Sequence, residues 1–514
     1  MGTSRTLFVA GAAAGCLLMA SGAVAQASTP QARPSAGRVS CDVAALQRLV
    51  SSSATIVTAR RLVTPATHTP YCRVDGTVAT SGPTGPNTVN FQVSLPDTFT
   101  NRYLFIGVGS AAGVVPDPDE QQLKEGWAQA GTDARGPGSL ADFTFAVNRT
   151  KALDWSSRGV HLTTGVTQAI TRAYYGQPRK LYRYLSGCSG GGRMGRVEAA
   201  QFPTDYDGIL AGAPGANNLN ILKFGQIVDH LLRKPESWVS PAQLQQLETA
   251  VVKTYDAADG ATDGLVRDPS VIDTGNFGEL GIFNPAQLTT IRLITSDLTV
   301  GQRIYKGYSA SNPTGWAAFL TGTTPPATWA SAPPAAFILF DTNTRAMFGL
   351  NYDFRTQMNF DNPADLQRWV STFVEVFPGQ EPTPDDFDAF QARGGKMVIW
   401  HGVSDNGISL ADNLRQYQQL AQHEGGYAAA QKSTRFFTVP GLLHCAGGPG
   451  PQDTPTEGLA ALANWVEHGQ APGNIVVHSA ANQPAASFRL CPVPSKPVFK
   501  GGNPLDATAW GCRG

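Results

Sequence analysis

The chain is short of charge. Asp, Glu, Lys and Arg make up 15% of its 514 residues, against roughly 25% in an average soluble domain, and its 39 basic side chains are balanced by 39 acidic ones. That balance argues against a nucleic-acid glove or a polybasic membrane binder. With 42% hydrophobic residues it is also no charge-driven disordered chain, and it should fold around a sizeable core. Cysteine is sparse, seven in all, and no C-x-x-C pair argues for metal ligation. Although the chain holds 55 glycines and 36 prolines, it has no collagen-like period and no low-complexity block.

What is present begins with an export signal. Arg5 precedes an apolar stretch from Leu7 to Ala20, and Ala25-Gln26-Ala27 forms a small-residue cleavage site. Residues 1–27 read as a secretory signal peptide. The stretch is shorter than the roughly 20 residues a spanning helix needs, so a membrane anchor is the weaker reading, and Cys16 only faintly imitates a lipoprotein box. The expected destination is the periplasm or the exterior, with no membrane attachment of the mature chain. Cleavage leaves Cys41, Cys72, Cys188, Cys445, Cys491 and Cys512, an even set that favours disulfides in that compartment. Sequence alone leaves the pairing open, but the N-terminal two and the C-terminal two can close local loops, which would leave Cys188 with Cys445.

Strand-like runs at Val89–Ser94, Tyr103–Val108, Lys180–Leu185, Gly208–Ala211, Lys396–Trp400 and Arg435–Val439 come with helical stretches at Thr164–Tyr175, Arg193–Gln201 and Ala411–Glu424. Strand, helix, strand is the pattern of an α/β sheet. Between about Gly215 and Gly394 it lapses. The expected organisation is therefore a catalytic domain in two parts, residues 28–215 and 391–514, with an inserted lid domain over residues 216–390.

Gly187-Cys188-Ser189-Gly190-Gly191 follows a strand and opens a helix, the setting of a G-x-S-x-G nucleophile elbow. No Walker lysine follows it, which argues against a phosphate loop. An α/β-hydrolase places its acid and then its histidine downstream of the serine. Asp405 follows the strand KMVIW, and His444 follows RFFTV. A serine hydroxyl is a poor nucleophile until a base takes its proton, and an imidazole oriented by a carboxylate does so. The expected roles are nucleophile for Ser189, general base and acid for His444, and orienting carboxylate for Asp405. His423, His468 and His478 suit solvated positions, and His401 a structural one. The oxyanion expected in acyl transfer needs backbone N–H donors; Gly190 is one candidate, and Gly109 or Ser110 of the small-residue run after YLFIG is the other. Asp256, Asp259 and Asp263 gather three carboxylates with glycines between them, which suits an oxygen-ligand calcium loop of structural duty. It is no EF-hand, since Arg267 stands where the bidentate Glu would be.

Longer segments carry a resemblance: YCRVDG, GWAQAGTDA, YYGQPRKLYRYLSGCSGGGRMGRVEAAQFPTDYDGILAGAPGANN, GGKMVIWHGVSD, VPGLLHCAGGPGP and the terminal LCPVPSKPVFKGG. In that order they resemble the tannase and feruloyl esterase family, α/β-hydrolase serine esterases that include mono(2-hydroxyethyl) terephthalate hydrolases. The resemblance implies the Ser189, Asp405, His444 triad and a Cys188–Cys445 disulfide. It also implies a lid calcium held by Asp256, Asp259, Asp263 and the backbone oxygens of Ala261 and Leu265, with no organic cofactor. Departures are Tyr255 where a lid cysteine is common, GVGSAAG in the oxyanion segment, and Ala134-Arg135 after the Thr132-Asp133 pair. The implied activity is hydrolysis of small aromatic esters of the feruloyl or galloyl type, such as plant cell-wall or tannin esters. A terephthalate monoesterase and a noncatalytic binding module on the same fold are the alternatives.

Overall fold

The computed structural model describes residues 39–514, which form one compact unit; the signal peptide and Cys16 lie outside them. In chain order the strands are β1 (Ala54–Val63), β2 (Pro70–Gly82), β3 (Gly85–Pro96), β4 (Arg102–Ile106), β5 (Trp127–Thr132), β6 (Tyr182–Cys188), β7 (Gly208–Gly212), β8 (Leu298–Val300), β9 (Arg303–Tyr305), β10 (Lys396–Gly402), β11 (Thr434–Val439), β12 (Ile475–His478), β13 (Ser487–Leu490), β14 (Lys496–Phe499) and β15 (Trp510–Arg513). Nine of them build the central sheet in the order β1-β2-β3-β5-β4-β6-β7-β10-β11. Its first four strands pair antiparallel. From β5 to β11 the pairing is parallel.

The parallel part is buried on both faces, so its strands read as nearly unbroken apolar runs. Successive side chains nevertheless go to opposite sides. Tyr103, Phe105, Leu185, Ile209, Ala211, Met397, Ile399 and Phe436 enter one core, which also holds Ile170 and Met194 from the helices Gly159–Tyr174 and Gly190–Gln201. Leu104, Tyr184, Leu210, Val398, Trp400 and Phe437 enter a second core with Leu459, Leu462 and Trp465 of the helix Thr454–His468. Helices on both faces of a mostly parallel sheet, with this strand order, make an α/β-hydrolase fold.

Although β7 and β10 are adjacent and parallel, the chain between them leaves the sheet. Residues 213–395 form helices, including Leu219–Arg233, Pro241–Tyr255, Ala335–Phe348 and Pro363–Val376, and the β8–β9 hairpin. Their apolar residues, among them Trp316, Phe340 and Trp369, belong to the same continuous core as one sheet face. Three disulfides close the described chain, Cys41–Cys72, Cys188–Cys445 and Cys491–Cys512.

Candidate active site

The carboxyl ends of β4, β6, β10 and β11 lie on one edge of the sheet, and each releases a loop that carries part of the site. After β6 the backbone turns sharply: Ser189 has φ 59° and ψ −118°, and the helix Gly190–Gln201 begins at the next residue. A non-glycine residue held at positive φ is strained, a cost seen where a side chain has to be aimed. Small neighbours make the turn possible. A Cβ on Gly191 would stand 2.7 Å from Gly107 O, so the turn and the end of β4 meet backbone to backbone. Ser189 Oγ is left without a hydrogen-bond partner among the described residues and lines a cavity of about 420 Å³.

His444 lines the same cavity, and the disulfide of the preceding and following cysteines, Cys188–Cys445, ties the two loops at a Cα–Cα distance of 5.9 Å. Its Nδ1 is 3.0 Å from both carboxylate oxygens of Asp405. A carboxylate only accepts, so Nδ1 carries the proton and Nε2 is left as the basic nitrogen. Asp405 is fully buried and also accepts from the backbone N–H groups of Gly407 (2.8 Å) and Ile408 (2.7 Å). Burial pushes its carboxyl up, but the charge of His444 and hydrogen bonds from His401 and His444 outweigh that and hold it well below the usual carboxylate range.

His401 is therefore part of this assembly, which the sequence reading missed. It is fully buried, with Nε2 3.3 Å from Asp405 Oδ2 and 3.1 Å from Ile408 O. The signal was its position four residues before Asp405 at the end of a strand. Asn406, next to the acid, accepts from His444 N–H at 3.2 Å and donates to Gly315 O of the 213–395 segment.

Ser110 and Gly190 meet across the floor: a Cβ on Gly190 would stand 2.5 Å from Ser110 N. Neither backbone N–H has a partner among the described residues. Ser110 adopts φ 48°, and its carbonyl accepts from Trp155 Nε1 at 3.1 Å. Arg135, the departure after Thr132-Asp133, is buried, donates to Ala111 O (2.6 Å) and Ser139 O (3.1 Å), and lies 3.9 Å over the Phe145 ring. It braces the loop that carries Gly109 and Ser110. Of those two candidates it is Ser110 whose nitrogen approaches Gly190.

The rest of the cavity is mainly aromatic and aliphatic, with Phe143, Trp155, Phe224, Phe319, Leu339 and Ile408 in its wall. Phe319 meets the His444 ring edge-on at 5.5 Å. Arg193 is the one arginine in the wall. It is buried, stacks 3.9 Å over Trp155, and is spent on Ser156 O and Gln380. Arg345 pairs with Asp341 at 2.9 Å and is not part of the wall.

The three aspartates of the expected calcium loop lie close enough to act on one another's charge. Asp256 accepts from Asp263 N and Gly264 N, Asp259 from Ala261 N, and Asp263 from Leu265 N. Nη2 of buried Arg267 bonds Asp263, while Nε stands 3.4 Å from Asp259 Oδ2 as an ion pair without a hydrogen bond. Among the described residues, three other His/Asp/Glu groups bring ligand atoms within 4.8 Å of one another, and these aspartates are not among them. Asp259 Oδ2 and Arg267 Nε stay buried without a hydrogen-bond partner among the described residues, and burial pushes the Asp259 and Asp263 carboxyls up, so one guanidinium leaves the three carboxylates short of positive charge.

The mostly parallel sheet with this edge defines the class, an α/β-hydrolase fold. A family profile described as "Tannase and feruloyl esterase" matches residues 72–512. The chain belongs to the tannase and feruloyl esterase family. It is 28% identical over 470 residues to a probable feruloyl esterase of Arthroderma benhamiae, covering 87% of this chain and 86% of that one. Feruloyl esterase B from Aspergillus oryzae superposes with a TM-score of 0.78 at 23% identity, over 91% of this chain and 98% of that one. Tannin acyl hydrolase from Aspergillus niger gives 0.72 at 20% identity, over 92% and 96%.

Proposed function

We propose that this protein is a secreted serine esterase that cleaves esters of aromatic acids through an acyl-enzyme. One observation carries the reading. The strained Ser189 and the Asp405-paired His444 open on a single cavity whose wall is mostly aromatic and aliphatic. Ser189 Oγ attacks the ester carbonyl while His444 Nε2 takes its proton. The oxyanion that forms is met by the N–H groups of Ser110 and Gly190, the latter at a helix N-terminus. Collapse expels the alcohol, which receives the proton from His444. Water, activated by the same imidazole, then releases the acid and restores Ser189. Three disulfides and the leader-like N-terminus support export, and among the described residues no helix is long and apolar enough to cross a membrane.

The wall favours a neutral acyl ring over a terephthalate monoester. A terephthaloyl group needs a cation for its free carboxylate. Among the described residues the one arginine here, Arg193, is buried and turned to the Trp155 ring, Ser156 O and Gln380, and Glu381 is paired with Arg303. Residues 213–395 supply Phe224, Phe319 and Leu339 to the wall, which supports a role for the segment as the lid over the acyl group.

The test is a panel of methyl ferulate, methyl gallate, mono(2-hydroxyethyl) terephthalate and p-nitrophenyl acetate, offered to the mature protein and to Ser189→Ala. Turnover of the neutral aromatic esters that Ser189→Ala abolishes is expected. Equal turnover by the variant, or a preference for the terephthalate, would overturn the reading.

A further inference from the structure

The helix that follows the nucleophile turns two arginines into the protein, and they meet different surroundings. Arg193 faces the catalytic cavity and donates to Trp155 O, Ser156 O and Gln380, although its Nε is buried without a partner among the described residues. Arg196 lies on the floor of a second cleft, of about 520 Å³, behind the catalytic one. It is only 7% exposed, and it has a single hydrogen bond, from Nη1 to Gln416 Oε1 at 2.7 Å. Its Nε is buried without a partner. Burial pushes the guanidinium down to about 10, only partly countered by the charge of Asp412. A buried cation that lacks a counter-ion is costly, so an anion that reaches it is bound favourably.

The other charges of the cleft do not supply that counter-ion. Arg303 pairs with Glu381. Arg415 pairs with Asp412 at 3.0 Å, whose other oxygen accepts from Gln416 and Asn217. Three arginines thus face two carboxylates, leaving one positive charge, and it sits at the bottom. The Phe387 ring lies 5.5 Å from the Arg196 guanidinium, and Tyr417 lines the same cleft. Asn217 and Glu381 line both cavities, so the two adjoin through a shared wall.

We infer that this second cleft is a binding site for a small organic carboxylate, held by Arg196 at its floor and separate from the ester-cleaving cavity. One unbalanced charge matches a monoanion. The planar fork of a guanidinium matches a carboxylate, and a volume of this size admits a single ring. The ligand is an aromatic acid or a sugar acid, the chemistry common to both being a carboxylate on a ring.

Calorimetric titration of the mature protein with 4-hydroxybenzoate, glucuronate and sulfate tests this, alongside Arg196→Gln and with p-nitrophenyl acetate hydrolysis followed in parallel. Saturable binding of one of the two carboxylates is expected, weakened by at least about tenfold in Arg196→Gln, with no competitive inhibition of ester hydrolysis arising from this site. The preferred arm identifies the ring. If circular dichroism shows that Arg196→Gln does not fold, Arg303→Gln at the rim removes a charge from the same cleft and should weaken binding in the same direction. Failure of both carboxylates to bind at about 10 mM, binding unchanged in the folded variant, tighter binding of sulfate, or purely competitive inhibition would overturn the inference. Each is independent of whether the ester panel succeeds.

Discussion

Asp405 shows at the scale of one residue how far burial can be outweighed. Its desolvation favours the neutral acid, yet two histidines and two backbone N–H groups keep it ionised. Because its carboxyl is held low, Asp405 stays charged throughout the acid limb of kcat/KM, which should follow one proton, with a slope near one. A limb of slope two would show that both groups titrate together. Stabilisation from the carboxylate is present above its unfolded value of about 3.9 and is lost as pH falls through the lower folded value. Asp405→Asn should lower kcat by about 10⁴ with the fold intact, since an amide no longer fixes the tautomer; steady-state kinetics on p-nitrophenyl acetate would read it.

Single elements store more than geometry. The helix Gly190–Gln201 carries Glu198, fully buried with neither carboxylate oxygen hydrogen-bonded, beside Asp205 and His161. Burial first, then the charge of Asp205, pushes its carboxyl well above the ordinary range. The folded chain thus keeps a proton that the unfolded chain releases above about 4.3. Stability is full below that pH and falls by about 1.4 kcal/mol per unit as pH rises towards the folded value. Glu198→Gln should melt above the parent at pH 7, with the difference vanishing near pH 4; a variant that melts lower at pH 7 would show that the carboxylate is ionised and used. In the acidic loop burial likewise pushes the Asp259 and Asp263 carboxyls up, and the charge of Arg267 counters it only in part. Arg267 joins Asp259 and Asp263 and lies 3.9 Å over Trp510 of β15. A calcium ion there would relieve that burial cost, so EDTA should lower the melting temperature of the calcium-loaded protein, and Arg267→Gln should cost about 3–5 kcal/mol by stranding buried carboxylates. A melt that EDTA leaves unchanged would show that the loop holds no calcium.

On the scale of the whole molecule, the site is assembled from loops that the sheet brings to one edge, and the Cys188–Cys445 bond, spanning 257 residues, fastens two of them. The 213–395 segment is fastened to the acid loop as well: Ser409 N–H donates to Tyr305 OH at 2.7 Å, and Asn406 to Gly315 O. Replacing both cysteines by alanine should cost about 2–5 kcal/mol in urea unfolding and lower kcat more than it raises KM, because the Ser189 and His444 loops lose their tie. Unchanged kcat in the folded variant would leave the bond a purely global brace.

Much was legible in advance because it is local. The alternation of strand and helix, the glycines around Ser189 and the strand ends before Asp405 and His444 follow from neighbours in the chain, as turn chemistry and periodicity do. The helices Gly159–Tyr174, Gly190–Gln201 and Leu410–His423 lie within a few residues of the periodic stretches that announced them. Strands β1, β2 and β5 and the helices of residues 213–395 were not read, since their apolar pattern is decided by packing against distant segments. Arg267, Arg196 and His401 were invisible as actors for the same reason. A charged or titratable side chain has a meaning only once its partners are known, and Trp510, Gln416 and the carboxylate of Asp405 are brought to them by the folded sheet and not by spacing along the chain.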